Sequence, residues 1–119
     1  MFAWRLDSGR RVWSTPAPSC GDRPRCRPAQ SAAVSDIPGV AFSGSVDGHI
    51  RDYSTRDSGI VWDFDTMRSY ETMNHVRAKG SSLNVGGPAT AGGMLITNSG
   101  YINSGIPGNV LLAFSIDGK

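Results

Sequence analysis

A tryptophan behind a short polar turn occurs twice at one spacing, in "AWRLDSGRRVW" (3–13) and "DYSTRDSGIVW" (52–62). Placing Trp13 on Trp62 brings Ala3-Trp4 onto Asp52-Tyr53, and Ala113-Phe114 offers a third copy. Upstream, "GVAFSGSVDGHIRDYS" (39–54) matches "GGMLITNSGYINSGIPGNVLLAFS" (92–115), with Phe42 on Ile96, Ile50 on Leu111 and Tyr53 on Phe114. A unit of about 50 to 60 residues that recurs is the mark of a solenoid or a propeller, in which each unit covers its neighbour's apolar face.

The elements inside each unit are short. "QSAAV" (30–34), "VAFSGS" (40–45), "HIRDYST" (49–55) and "GIVWDF" (59–64) are each strand-length, divided by Pro-Gly, Asp-Gly and Asp-Ser-Gly turns. Fifteen Gly and seven Pro, with no helical apolar period, agree with many strands and tight turns. Four antiparallel strands per unit make a propeller blade, and propellers need about four to eight blades. The expected fold is therefore all-β, a partial β-propeller of about two four-stranded blades. Residues 1–16 end one blade, 30–66 form a second, 67–87 form a long loop and 88–119 form the last. Met1-Phe2 entering in mid-blade and "NVLLAFSIDGK" (109–119) stopping after a third strand suggest a piece of a larger ring whose N-terminal blades are missing. A Trp laid across the next blade buries on the order of 200 Å², about 25 cal/mol per Å², which makes Trp13 and Trp62 the expected fasteners.

Charge points to no special partner. Six of the twelve Lys and Arg lie in the first 27 positions, but Pro24, Pro28 and scattered acids break the run and no aromatic-interleaved motif accompanies it. A solvated loop is the expectation there, rather than a nucleic-acid surface. No stretch approaches the roughly 18 apolar residues of a membrane span, and the start lacks the basic-then-apolar layout of a signal peptide.

"AWRLDSGRRVW" resembles the tryptophan-docking motif of quinoprotein dehydrogenases, Ala-x-Asp-x-x-Thr-Gly-x-x-x-Trp, with Ala3, Ser8 for Thr, Gly9 and Trp13 at matching spacing and Arg5 where the pattern has Asp. The second copy keeps Trp62 but has Asp52 at the Ala position and Ser58 at the Gly position. The segments "FSGSVDGHIRDYSTRD", "WDFDT", "GGMLITNSGY" and "PGNVLLAFSIDGK" resemble the C-terminal part of polyvinyl-alcohol dehydrogenases. That resemblance implies a periplasmic enzyme that oxidises a secondary, even polymeric, alcohol with pyrroloquinoline quinone and calcium and hands electrons to a cytochrome c. A non-catalytic propeller scaffold is the alternative.

Alternation of strands gathers the connections 14–29, 45–48, 63–87 and 100–108 on one rim and the turns 36–39, 56–59 and 91–93 on the other. The family chemistry calls for a cation facing the quinone, oxygen ligands for calcium and a carboxylate base. The resemblance implies Lys79, with Asn74, toward the cofactor, and Glu71, with Asn74 or Asn98, toward the metal. Solvated loop residues are the plainer reading of all four. Asp47, Asp63 and Asp65 are open as bases; His49, at a strand start, suits a structural role, and His75 alone makes no metal site. The family's glycine-rich segments become "KGSS" (79–82) and "GYINSGIPGN" (100–109), so Ser81, Ile102 and Ser104 place a Cβ where backbone had room to approach a ligand. Cys20 and Cys26 enclose "GDRPR", which is neither a haem attachment nor a zinc knuckle; an oxidising compartment favours a local disulfide over two free thiols.

Overall fold

The computed structural model describes residues 1–84, 86–101 and 106–117. Among them every regular element is a β-strand. Strands β1 (Phe2–Trp4) and β2 (Arg11–Ser14) form a hairpin, and β3 (Val34–Ile37), β4 (Val40–Gly44), β5 (His49–Ser54) and β6 (Ile60–Asp65) form a four-stranded meander in sequence order. A second hairpin, β7 (Ser69–Glu71) with β8 (Arg77–Lys79), precedes a three-stranded sheet of β9 (Ala89–Ala91), β10 (Met94–Ser99) and β11 (Val110–Phe114). All pairings are antiparallel. The sheets lie side by side in a body of 50 × 35 × 21 Å, and β3 touches β9, so the first strands of successive sheets share one side. This is an arc of a propeller.

Turn chemistry sets where each strand ends. Pro38-Gly39, with Gly39 at φ 92°, reverses the chain between Ile37 and Val40, which face each other across the turn. That register draws the first strand of the blade to 34–37, so that only Val34 of the expected strand 30–34 belongs to it and residues 30–33 lead into it irregularly. Gly92 and Gly93, both with positive φ, close the β9–β10 hairpin in the same way.

Residues 67–87, expected as one long loop, contain the β7–β8 hairpin. Its faces are sorted: Tyr70 is half-buried and Ala78 buried, while Ser69, Glu71, Arg77 and Lys79 are exposed. With three residues per strand and His75, not a glycine, taking the left-handed position of the turn (φ 59°), neither length nor turn composition marked it as a hairpin.

The core lies between the meander and the three-stranded sheet. Phe42, Ile50, Leu83, Leu95 and Phe114 are buried together, with Trp62 and Phe64 packed against them. Trp62 meets Phe114 edge-on at 5.1 Å between ring centres, and Phe64 meets it at 4.8 Å. The other fastener works by a hydrogen bond: Trp13 Nε1 donates to Thr55 O at 2.9 Å, and Thr15 Oγ1 to Ser58 O at 3.2 Å, tying the β1–β2 hairpin to the β5–β6 turn.

Candidate functional site

The rim expected to carry the long connections is held together by a strap, residues 79–84, that is buried from Gly80 to Leu83. Leu83 N–H donates to Ser45 O (3.0 Å), Ser82 Oγ to Val46 O (2.8 Å), and Gly100 N–H to Ser82 O (2.9 Å). Lys79 pairs with Asn109 twice: Asn109 N–H donates to Lys79 O (2.9 Å) and Lys79 N–H to Asn109 Oδ1 (2.8 Å). Beneath the strap Thr66 Oγ1 lies 2.7 Å from Gly48 O, 3.0 Å from Ser81 O and 2.7 Å from Ser99 Oγ, and Ser99 Oγ accepts from Ser81 N–H at 2.6 Å. Three connections of the rim, 45–48, 63–87 and 100–108, thus converge on one hydrogen-bonded seam, in which the hydroxyls of Thr66, Ser81, Ser82 and Ser99 are all satisfied. Gly80 is required in it, because a Cβ there would sit 1.9 Å from Thr66 O.

Ser81 belongs to that seam. Its side chain is fully buried and its Oγ donates to Ile106 O, so the extra Cβ knits the strap to the last connection and does not project into an open site. Ile102 and Ser104 lie outside the described residues.

The residues proposed for cofactor and metal are dispersed. Lys79 and Glu71 line an open groove of about 670 Å³ with Ser69, Tyr70, Arg77, Ala78 and Asn109. Register places Glu71 opposite Arg77 and Ser69 opposite Lys79, so two cations and one carboxylate share the hairpin's outer face. Asn74 sits on the hairpin's turn, where its Oδ1 accepts from Thr72 Oγ1 (2.5 Å) and Val76 N–H (3.4 Å). Asn98 is on β10, across from Leu111. Among the described residues no group of three or more His, Cys, Asp or Glu is arranged to hold a metal ion. Among the described residues, Glu71, Asn74 and Asn98 thus stand on a strand, a turn and a separate sheet and are not gathered into one calcium site.

A second cluster lines the β5–β6 side of the rim. Arg51 is buried and binds Asp47 through both terminal nitrogens (3.2 and 2.7 Å) while its Nε reaches Asp63 at 2.9 Å. His49 Nδ1 meets Asp63 at 2.5 Å, and Arg23 reaches Asp65 at 3.0 Å. Burial by itself would push the Asp47 carboxyl up, but the Arg51 guanidinium and the His49 amide outweigh it and hold Asp47 below its usual value. All three carboxylates considered as bases are engaged by arginine, and His49 is held by Asp63, an arrangement that builds the rim.

Asp52 is the carboxyl that sequence reasoning passed over as a base. It lies on the inter-sheet face with Phe42, Trp62, Met94 and Phe114 along a groove of about 660 Å³. Its buried Oδ1 has no hydrogen-bond partner among the described residues, and burial pushes its pKa up to about 7. Its signal was present as the Asp standing at the Ala position of the docking pattern.

Set against known proteins, the chain aligns along its whole length with two curated dehydrogenases. It is 42% identical over 132 aligned residues to a polyvinylalcohol dehydrogenase of Pseudomonas sp, covering 100% of this chain and 21% of that protein. With the polyvinylalcohol dehydrogenase of Sphingopyxis sp. (strain 113P3) it is 38% identical over 133, covering 98% and 20%. The chain is a homologue of part of the polyvinylalcohol dehydrogenases. It spans about a fifth of the length of these relatives, consistent with the C-terminal part that the segments resemble. No protein-family model and no solved structure matches it.

Proposed function

We propose that this chain supplies one arc of the propeller of a quinoprotein alcohol dehydrogenase, acting in the periplasm on a secondary or polymeric alcohol and passing electrons to a cytochrome c. The observation that carries this reading is identity of 38 to 42% with polyvinylalcohol dehydrogenases along the whole chain, joined to a tryptophan fastening of the kind quinoproteins use. The bound quinone would supply the two-electron acceptor. Lys79 and Arg77, neighbouring cations on one open face, fit the edge of an anionic quinone and would orient it by charge. Glu71, opposite Arg77, would hold that guanidinium in place. No step is assigned to calcium, since among the described residues Glu71, Asn74 and Asn98 are spread over a strand, a turn and a separate sheet.

The test is reconstitution. A protein containing this chain within a complete propeller should reduce an artificial dye with a secondary alcohol once quinone and calcium are added, and Lys79→Ala should raise the quinone requirement about tenfold. Absence of dye reduction by the reconstituted full-length protein overturns the enzyme reading. The 119-residue chain alone should show no turnover, since most of the cofactor floor would lie in other blades. A scaffold reading is favoured by one observation, that Asp47, Asp63 and Asp65 are all engaged by arginine. Calorimetric titration of the full-length protein with the quinone separates the two, because tight binding is incompatible with a pure scaffold.

A further inference from the structure

We propose that the Cys20–Cys26 disulfide is a redox-controlled latch that works through Arg23, pinning the long connection between β2 and β3 onto the charged rim. Cys20 and Cys26 are bonded with Sγ–Sγ 2.07 Å, and Arg23 stands midway between them. Its backbone is tied to both: Arg23 N–H donates to Cys20 O (3.4 Å) and Cys26 N–H to Arg23 O (3.2 Å). From this closed loop the guanidinium reaches two separate elements of the rim. Nη1 donates to Asp47 O in the β4–β5 turn at 2.8 Å, and Nη2 to Asp65 Oδ2 at the end of β6 at 3.0 Å.

Among the described residues of 16–28, Arg23 is the one whose hydrogen bonds leave the loop; the other bonds there are local. A half-exposed ion pair is ordinarily weak, because a long side chain must be immobilised to make it. The disulfide removes much of that cost by fixing the backbone on either side of Arg23 beforehand. Opening it frees the loop, and the clamp loosens with it.

The sulfurs are placed for exchange. Both cysteines are half-buried, while Gly21, Asp22, Pro24, Arg25 and Arg27 around them are exposed, and the two arginines favour a departing thiolate. A dithiol reductant attacks one sulfur as its thiolate, breaking the Cys20–Cys26 bond and releasing the other cysteine as a thiolate. Its second thiol then attacks the reductant's sulfur of the mixed disulfide and expels the remaining cysteine. Two electrons and two protons end on Cys20 and Cys26, and the reductant leaves as a disulfide.

Two backbone amides beside the clamp report on it: His49 N–H bonds Asp47 Oδ1 at 3.1 Å and Met67 N–H bonds Asp65 Oδ1 at 2.8 Å. Amide hydrogen exchange should be followed in the longest natural protein that contains this chain, oxidised and in dithiothreitol. Reduction should speed exchange at His49 and Met67 about tenfold while Ile96, in the distant β10, stays unchanged. Oxidised Arg23→Ala should already show the fast exchange, and reduction should add nothing further. The latch is overturned if oxidised Arg23→Ala exchanges like the parent, or if reduction speeds both proteins by the same factor. It is equally overturned if Ile96 accelerates with the rest, which would make the disulfide a global staple. The Cys20→Ser/Cys26→Ser double variant gives the reduced state without reductant and should match reduced parent protein at both amides; failure to match counts against the latch.

Discussion

Ser58 occupies a left-handed backbone position, φ 64°, that Gly9 fills at the corresponding place of the first hairpin, φ 63°. The two turns share their hydrogen bonds: Gly9 N–H donates to Arg5 O (2.8 Å) and Ser58 N–H to Ser54 O (3.0 Å). They also share a bulge, between Ala3 and Trp4 in one hairpin and between Asp52 and Tyr53 in the other. A side chain in that conformation costs about 1 kcal/mol relative to glycine, so Ser58→Gly should raise the melting temperature by a few degrees, measured by thermal denaturation. Asp52 makes a prediction about pH. Burial raises its folded pKa to about 7, above the unfolded value, so the fold holds this proton more tightly than the open chain. Its stabilising share is complete below the unfolded pKa and is lost as pH rises through about 7. The melting temperature should therefore fall between pH 5 and pH 8, and Asp52→Ala, which restores the residue of the docking pattern, should flatten that slope. A slope unchanged by the substitution would assign the effect to another group.

At the scale of elements, two fasteners of unlike chemistry join three sheets. Trp13 crosses from β2 to the next turn and is held by a hydrogen bond; Trp62 crosses from β6 to β11 by ring contact. Trp13→Phe keeps an aromatic ring and loses the bond to Thr55 O, which should cost about 1 kcal/mol, whereas Trp13→Ala, which also removes the half-buried ring, should cost more. Equal losses from the two, read from denaturant midpoints, would mean that the indole N–H carries the docking and the ring does not. The strap 79–84 shows why the rim was only partly legible beforehand. Alternation told which connections emerge together, but the seam of Thr66, Ser81, Ser82 and Ser99 joins residues from separate connections, and no local pattern of hydroxyls announces it.

For the whole molecule, the last sheet ends in an open edge. Among the described residues β11 pairs with β10 and has no strand on its other side, while Leu111 and Ile116 stand exposed. An uncovered edge next to apolar side chains is a template for pairing with another chain. The 119-residue chain in isolation should thus self-associate with rising concentration; sedimentation velocity showing a monomer at every concentration would contradict this. Within a complete propeller the same edge would be covered, and association should disappear.

The sequence by itself determined most of the strands, the repeat and the fasteners, because these rest on short-range physics. Apolar runs of strand length, Pro-Gly and Gly-Gly turns, and a tryptophan at a constant distance from its bulge are all readable along the chain. Kinship with the dehydrogenases was legible for the same reason, being carried by local segments. Only the tertiary structure decided which polar residues act together. It placed Lys79 and Glu71 in one groove, turned Asn74 to its own loop, left Asn98 on a different sheet and buried Ser81 in a seam. It also carried Arg23 from its disulfide loop to Asp47 and Asp65. These groupings depend on how separate sheets and connections meet in space, and side-chain chemistry far apart in the chain carries no record of that meeting.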